Sequence, residues 1–340
     1  MENIQFICYG YDIKLKKLTN YFREYMYNNT KGVIKLHGVK KLSEERNKNT
    51  YNIDKADTLE ILRLLNNEDK IVPNAVEKEL PDIARAVEAV TFTLKNNGRL
   101  FYIGAGTSGR LGIMDAAENA SAYGMNEDRI IALIAGGMEA LRHSVGYAQD
   151  EKFLSVDELR SLGFSENDLL LGISASGSTP YVVGAMEYAR KMGAKTILLT
   201  SEPGSEISQM VNITICVVVG PEAITGSSRL KSASAHKMVL NMISTCVMIK
   251  LGRIFKNLMV EVKPNNAKLS ARRKMVICEA AGVSDAQAEE LIDKSGGNTK
   301  TAIVMGITKL NKDEANQILE ECDGNIRTVI HKLGIPYVDN

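Results

Sequence analysis

Two short segments of this 340-residue chain carry residue types that bind phosphate groups. Residues 104–110 (Gly-Ala-Gly-Thr-Ser-Gly-Arg), the glycine segment, and residues 174–180 (Ser-Ala-Ser-Gly-Ser-Thr-Pro), the hydroxyl segment, each precede a helix-length stretch. Glycine lets the backbone approach an anion, hydroxyls donate hydrogen bonds, and a helix N-terminus adds positive partial charge. Both segments therefore indicate oxyanion binding, and several hydroxyls together favour a phosphate monoester. The candidate ligands are Thr107, Ser108, Ser174, Ser176, Gly177 and Thr179.

The glycine segment also fits the Gly-x-Gly-x-x-Gly spacing of dinucleotide-binding turns. That function needs an acidic residue at the end of the next strand to bind a ribose hydroxyl, and the segment at that spacing, 121–125, has none. A sugar phosphate is therefore the favoured ligand. A third segment, 225–231 (Thr-Gly-Ser-Ser-Arg-Leu-Lys), allows two interpretations: a helix cap with solvated cations, or a further wall of the anion site that contributes Ser228 and Lys231.

Short apolar runs alternate with helix-length segments around these loops, and this alternation predicts the fold. Strands that are apolar throughout and joined by helical crossovers predict an α/β fold with a doubly wound, five-stranded parallel sheet. In such sheets ligands bind beyond the carboxyl ends of the strands, where both segments are placed. The predicted strands are 99–103, 129–135, 168–173, 195–200 and 212–219, and the predicted helices are a stretch beginning at Thr58, then 73–94, 114–122, 137–148, 181–192 and 228–251.

The chain divides into three predicted parts. Residues 42–265 hold the sheet, and residues 266–340 predict a small all-α domain with helices at 285–294, 299–308, 312–321 and 325–333. Residues 1–41 carry eight Lys plus Arg against three Asp plus Glu without a sustained period. They predict an N-terminal extension, either a loosely packed appendage or a binding arm.

The composition of the chain excludes several classes of binding partner and location. With 42 Lys plus Arg against 41 Asp plus Glu, the charge balance argues against nucleic acid. No uncharged run supplies the roughly 18 to 20 apolar residues of a membrane span, and no secretory signal is expected. The five cysteines are scattered without Cys-x-x-Cys spacing. They predict neither disulfides nor a metal site and fit a reducing cytoplasm.

Taken in order, these motifs resemble the N-acetylmuramic acid 6-phosphate etherase family. The resemblance extends over about residues 42–333 and implies a sugar isomerase (SIS) type α/β domain followed by a small helical domain. It also implies a homodimer and neither metal nor organic cofactor. The motifs that carry it are 104–118, 136–137, 175–182, 219–222, 225–229 and 257–260, with the lead-in segments 42–47 and 68–73.

The resemblance implies a reaction as well. The substrate would be N-acetylmuramic acid 6-phosphate, whose D-lactyl ether at C3 is eliminated and replaced by water during recycling of cell-wall sugars. Elimination needs an acid and a base at opposite stages. Glu118 matches the family carboxylate that assists lactate departure, and Asp115 is expected on the same helix face. Gln149 stands where the family has its second catalytic Glu, and an amide cannot take up a proton at neutral pH.

Other departures lie near the same positions. Ser178 stands where an arginine is usual, and segments 119–121 and 232–237 differ from the family pattern. Within the latter, His236 is either a helix residue that hydrogen-bonds locally or a substitute base. The phosphate-binding residue types remain, so binding is expected to be better retained than catalysis.

Three hypotheses follow: an etherase of reduced rate, a non-catalytic sugar-phosphate-binding regulatory protein similar to glucokinase regulatory protein, and an aldose–ketose isomerase. The third shares the fold but fits the ordered motifs less well. The first is favoured over the second because Glu118 and the family framework are retained.

Overall fold

The computed structural model describes residues 41–261 and 267–336. The predicted N-terminal extension therefore lies, apart from Lys41, outside the described residues. Within the described residues, no helix is long and apolar enough to cross a bilayer.

Five parallel strands form the central sheet, in the spatial order β2-β1-β3-β4-β5. Every residue of β1 and β3 is buried, because helices cover both faces. The predicted doubly wound five-stranded sheet is confirmed. The strands are β1 (Leu100–Gly104), β2 (Ile130–Ile134), β3 (Leu169–Ile173), β4 (Lys195–Thr200) and β5 (Ile213–Cys216).

Two apolar layers hold the helices on the sheet. Alternate strand side chains, such as Tyr102 and Phe101, point into opposite layers. The helices are α1 (Thr58–Asp69), α2 (Ile71–Glu77), α3 (Leu80–Lys95), α4 (Gly106–Tyr123), α5 (Lys152–Ser161), α6 (Pro180–Met192) and α7 (Lys231–Lys250). Helices α2, α3, α4 and α7 pack on one face of the sheet, and α5 and α6 pack on the other.

Four predicted helices differ from the structure. The stretch 114–122 is the second half of α4, which begins at Gly106 within the glycine segment. The stretch 73–94 is two helices, because the chain leaves helical geometry near Glu79 and α3 restarts with a proline in its first turn. The long helix begins at Lys231 rather than 228, where the Glu222 carboxylate accepts hydrogen bonds from the first backbone N–H groups. The segment 137–148 is not an α-helix: it forms two 3₁₀ turns, Gly137–Leu141 and Gly146–Asp150.

The region after α7 contains a two-stranded antiparallel hairpin, β6 (Ile254–Phe255) and β7 (Leu258–Met259), that was not predicted. The C-terminal region is helical as predicted, but its described part has five helices rather than four. They are α8 (Ala267–Ala281), α9 (Asp285–Lys294), α10 (Thr299–Thr308), α11 (Lys312–Glu321) and α12 (Ile326–Lys332), packed around one apolar core that includes Phe255 and Val260 of the hairpin region.

The last four helices repeat one design. The capping box at Ser284 recurs at Asn311, 27 residues further along the chain, and the Asn298 cap recurs at Asn325 after the same interval. Capping side chains satisfy backbone N–H groups that have no partner within the helix, so each repeat defines where its helices begin.

Candidate functional site

The glycine and hydroxyl segments leave the sheet side by side. Strands β1 and β3 are neighbours, and Gly104 at the end of one lies opposite Ile173 at the end of the other. Helices α4 and α6 begin at Gly106 and Pro180, within or at the end of these segments. Two helix N-termini and two sets of predicted phosphate ligands therefore lie at one edge of the sheet.

The glycines of the first segment are required by close packing. A Cβ on Gly104 would lie 2.7 Å from the backbone nitrogen of Gly109, and one on Gly109 would lie 2.5 Å from Ile134 Cγ1. Gly106 has a left-handed φ of 54° and faces open space. Thr107 and Ser108 are half-buried in the first turn of α4, where their backbone and hydroxyl donors lie at the strand end.

The hydroxyl segment folds into a tight turn that gathers its oxygens. Ser174 Oγ lies 2.8 Å from Thr179 Oγ1, and the Gly177 backbone nitrogen donates to the Ser174 carbonyl at 3.0 Å. Gly177 has φ of 57°, and a Cβ there would lie 2.2 Å from Ser205 Oγ. Ser176 is half-buried at the apex. The turn therefore presents several hydroxyls in front of the N-terminus of α6.

Residues 41–50, the N-terminal strap, lie along the same edge. The Leu42 backbone nitrogen donates to Glu202 Oε2 at 3.0 Å, and the Ser43 carbonyl accepts from Gly226 at 2.9 Å. The Thr50 hydroxyl donates to the Ala223 carbonyl at 2.7 Å. Sequence reasoning missed this strap, because the partners of Leu42, Ser43 and Thr50 lie more than 150 positions away.

The third segment contains a buried ion pair. Lys231 Nζ lies 2.5 Å from Glu68 Oε2, and both side chains are almost fully buried. Burial opposes ionisation of Glu68, but hydrogen bonds from Lys231, Asn49 and Asn47 outweigh it and hold the pKa of this carboxyl below its usual value. The Lys231 ammonium is thus already paired with a carboxylate of the protein. Ser228, three residues before Lys231, is half-buried.

Glu118 and Asp115 do not share an environment, contrary to expectation. Glu118 is exposed, whereas Asp115 is 2% exposed and points inward. Burial raises the pKa of Asp115, although hydrogen bonds to its carboxylate oppose that rise. Four side chains donate to it: Tyr102, Asn119, Asn241 and Ser244. The bonds from Tyr102 and from the two residues of α7 join α4 to β1 and to α7.

The distance along α4 separates Glu118 from the phosphate segments. Glu118 follows Thr107 by 11 residues in one helix, which is about 16 Å along the axis. A hexose 6-phosphate held at the N-terminus of α4 is shorter than that distance.

Gln149 is exposed in the second 3₁₀ turn, after β2. The stretch before it is attached to the glycine segment by the Arg110 guanidinium, which donates to the carbonyls of Ala140, Leu141 and His143 at 2.7 to 3.2 Å. These carbonyls bond to Arg110 instead of forming a helix, which explains the wrong helix prediction here.

His236 is buried, with Nε2 3.1 Å from Ser201 Oγ just beyond β4. Burial lowers the pKa of its imidazole to about 4, although a hydrogen bond with the Thr200 backbone opposes that shift. Its side-chain partner belongs to the sheet edge rather than to its own helix.

The parallel sheet and the hydroxyl-rich turn at its edge define a protein of the SIS class. The SIS domain model matches residues 161–246, and the model of the glucokinase regulatory protein N-terminal SIS domain matches residues 82–190. The chain belongs to the N-acetylmuramic acid 6-phosphate etherase family. It is 47% identical to N-acetylmuramic acid 6-phosphate etherase of Clostridium beijerinckii over 291 residues, which cover 86% of this chain and 96% of that relative. The Actinobacillus pleuropneumoniae protein of the same name is 45% identical, with coverage of 86% and 96%.

Among solved structures, phosphoheptose isomerase from Neisseria gonorrhoeae superposes with a TM-score of 0.44 at 21% identity, covering 56% of this chain and 97% of that one. The phosphoheptose isomerase from Francisella tularensis gives a TM-score of 0.44 at 20% identity, covering 56% and 98%.

Proposed function

We propose that this protein cleaves the D-lactyl ether of N-acetylmuramic acid 6-phosphate, giving N-acetylglucosamine 6-phosphate and D-lactate. The observation that carries the proposal is the meeting of the glycine and hydroxyl segments at one edge of the sheet, in a chain that belongs to the etherase family. We assign the reaction to the catabolism of cell-wall amino sugars in the cytoplasm, without a metal or organic cofactor.

The 6-phosphoryl group is proposed to bind at the two segments. Hydroxyl and backbone donors, together with the N-termini of α4 and α6, suit a phosphate monoester. Ser228 is proposed to line the same site. Lys231, held by Glu68, contributes by fixing the first turn of α7, and direct contact with substrate requires its release from that carboxylate. The proposed ligands are Thr107, Ser108, Ser174, Ser176, Gly177 and Thr179.

The proposed chemistry begins with the open-chain sugar, whose aldehyde acidifies the C2 proton. Transfer of that proton to water and departure of lactate from C3 form a C2–C3 double bond, and addition of water across this bond restores the C2 hydrogen and places a hydroxyl on C3. Glu118 is proposed as the acid that protonates the leaving lactate. Gln149 cannot act as the base, and absence of a general base costs about 10² to 10⁴ in rate. The proposed etherase is therefore slow.

The proposed active unit is a homodimer. Glu118 lies about 16 Å along α4 from Thr107 and is exposed in a single chain. A substrate held by the phosphate segments of one protomer would meet Glu118 of a second copy if the exposed part of α4 lies at a two-fold interface. This arrangement accounts for an acid that lies far from the phosphate site in its own chain.

Release of D-lactate from N-acetylmuramic acid 6-phosphate tests the proposal. The purified chain is expected to release lactate, and Glu118→Gln is expected to reduce the rate by about 10² or more. Glu127→Gln, an exposed carboxylate after the end of α4, is the matched control and should keep the wild-type rate. Tight binding of the substrate without any lactate would contradict the proposal.

The second candidate is a non-catalytic sugar-phosphate-binding regulator. It is favoured by the amide at Gln149 and by the match of residues 82–190 to the glucokinase regulatory protein model. This candidate predicts binding without turnover in the wild-type chain and also in Gln149→Glu.

A further inference from the structure

The hydroxyl segment lacks a cation of its own. Residues 174–180 contain neither lysine nor arginine. A phosphate monoester carries roughly 1.5 to 2 negative charges at neutral pH. A cationic donor adds a direct Coulombic attraction to such a group that neutral hydroxyls lack. A cation from another part of the chain would complete the site.

The ammonium of Lys41 lies next to the hydroxyl segment. Lys41 Nζ donates to Ser178 Oγ at 2.6 Å, across 137 positions of sequence. Ser178 Oγ in turn donates to Ser176 Oγ at 3.3 Å. The ammonium is therefore hydrogen-bonded to a hydroxyl of the segment, and one further contact joins it to Ser176, a proposed phosphate ligand.

Lys41 is anchored by the residues that follow it. It immediately precedes the 3₁₀ turn Leu42–Glu44, whose first backbone nitrogen donates to Glu202 and whose Ser43 carbonyl accepts from Gly226. Both contacts lie at the carboxyl edge of the sheet. Because the backbone beside Lys41 is already fixed there, less conformational freedom is lost when its ammonium binds a ligand.

Two other cations near the segments have different partners. The Lys231 ammonium pairs with Glu68, and the Arg110 guanidinium donates to three backbone carbonyls. Among the residues that the structure describes, Lys41 supplies the cationic group that is hydrogen-bonded to the hydroxyl segment. An ammonium has three donors, so it can keep Ser178 and still donate to a phosphoryl oxygen.

We propose that Lys41 is a ligand of the substrate's 6-phosphoryl group and supplies the positive charge that the hydroxyl segment itself lacks. The proposal deepens the proposed function and rests on its phosphate site. It makes Lys41 a binding residue rather than a catalytic one.

Calorimetric titration of the full chain with N-acetylglucosamine 6-phosphate tests this assignment. Lys41→Met is expected to raise Kd about 10- to 100-fold, the usual worth of a hydrogen bond to a charged group. Lys41→Arg keeps the charge and should stay within about threefold of wild type. Lys48→Met, which removes an exposed lysine of the same strap, is the matched control. The double variant Lys41→Met/Ser178→Arg places a cation on the hydroxyl segment itself and should recover most of the affinity.

Thermal unfolding checks that each variant folds. If Lys41→Met does not fold, Lys41→Gln takes its place, because it removes the charge and keeps a donor for Ser178. An unchanged Kd in the folded neutral variants, or an equal loss in Lys48→Met, overturns the assignment. Loss of affinity in a chain that never releases lactate would support Lys41 and contradict the etherase proposal. If the neutral variants keep their affinity and the wild-type chain releases lactate, the Lys41 assignment is contradicted and the etherase proposal is supported. A wild-type chain that binds no sugar 6-phosphate contradicts both.

Discussion

Acid is expected to weaken the fold through His236. The pKa of this buried imidazole is lowered from 6.5 to about 4. Its neutral form is therefore favoured in the folded chain, and the unfolded chain gains a proton first as the pH falls. The stabilising contribution is fully present above pH 6.5, declines as the pH falls towards 4, and changes no further below that. At about 1.4 kcal/mol per pKa unit, the shift is worth roughly 3 kcal/mol.

Urea unfolding at pH 7.5 and pH 4.5 measures this contribution. Between these two values the free energy of unfolding of the wild type should fall by roughly 2.5 kcal/mol more than that of His236→Gln, whose amide can keep the bond to Ser201. Carboxylates such as Glu68 and Asp168, whose pKa values are lowered in the fold, also destabilise the protein when they take up protons. Both chains contain them, so their contribution drops out of the difference between the two free energies of unfolding. His331→Gln, an exposed histidine in α12, is the matched control. Parallel pH dependences of wild type and His236→Gln would refute the reasoning.

Three further outcomes are expected. Gln149→Glu should raise kcat for lactate release by about 10² to 10⁴, and an unchanged kcat would contradict the missing-base explanation. A chain with Glu118→Gln and a second chain with Thr179→Ala, each impaired alone, should recover lactate release when the two are refolded together. Sites confined to single protomers would give no recovery. Lys231→Met leaves the Glu68 carboxylate buried without its ion-pair partner and should lower the free energy of unfolding by about 3 to 5 kcal/mol in urea. Adding Glu68→Leu should restore most of that loss, and a single variant as stable as wild type would contradict the burial argument.

The sheet was predictable because its signal is local. Each central strand is an apolar run with charged or polar residues before it and small residues after it, as in 168–173, and burial on both faces demands that composition. The prediction at 137–148 was wrong because it used only the local residue pattern, whereas a contact from a distant residue decides the structure there. Gly136 and Gly137 adopt positive φ, and the carbonyls that a helix would use accept hydrogen bonds from Arg110, which precedes them by about 30 positions.

The candidate site was predictable only where its residues are contiguous. The glycine and hydroxyl segments each carry their own pattern, so their residue types sufficed. The Lys41–Ser178 contact and the Glu68–Lys231 pair join residues 137 and 163 positions apart. Neither contact leaves a period or spacing in the sequence. The inward direction of Asp115 was missed for a related reason: its donors Asn241 and Ser244 lie on α7.

The position of the phosphorus atom in a crystal of this protein with N-acetylglucosamine 6-phosphate tests the central claim most directly. We predict that the phosphoryl oxygens lie within hydrogen-bond distance of the hydroxyls of Ser174, Ser176 and Thr179, in front of the N-terminus of α6. A sugar bound with its phosphate away from residues 104–110 and 174–180 would contradict the account.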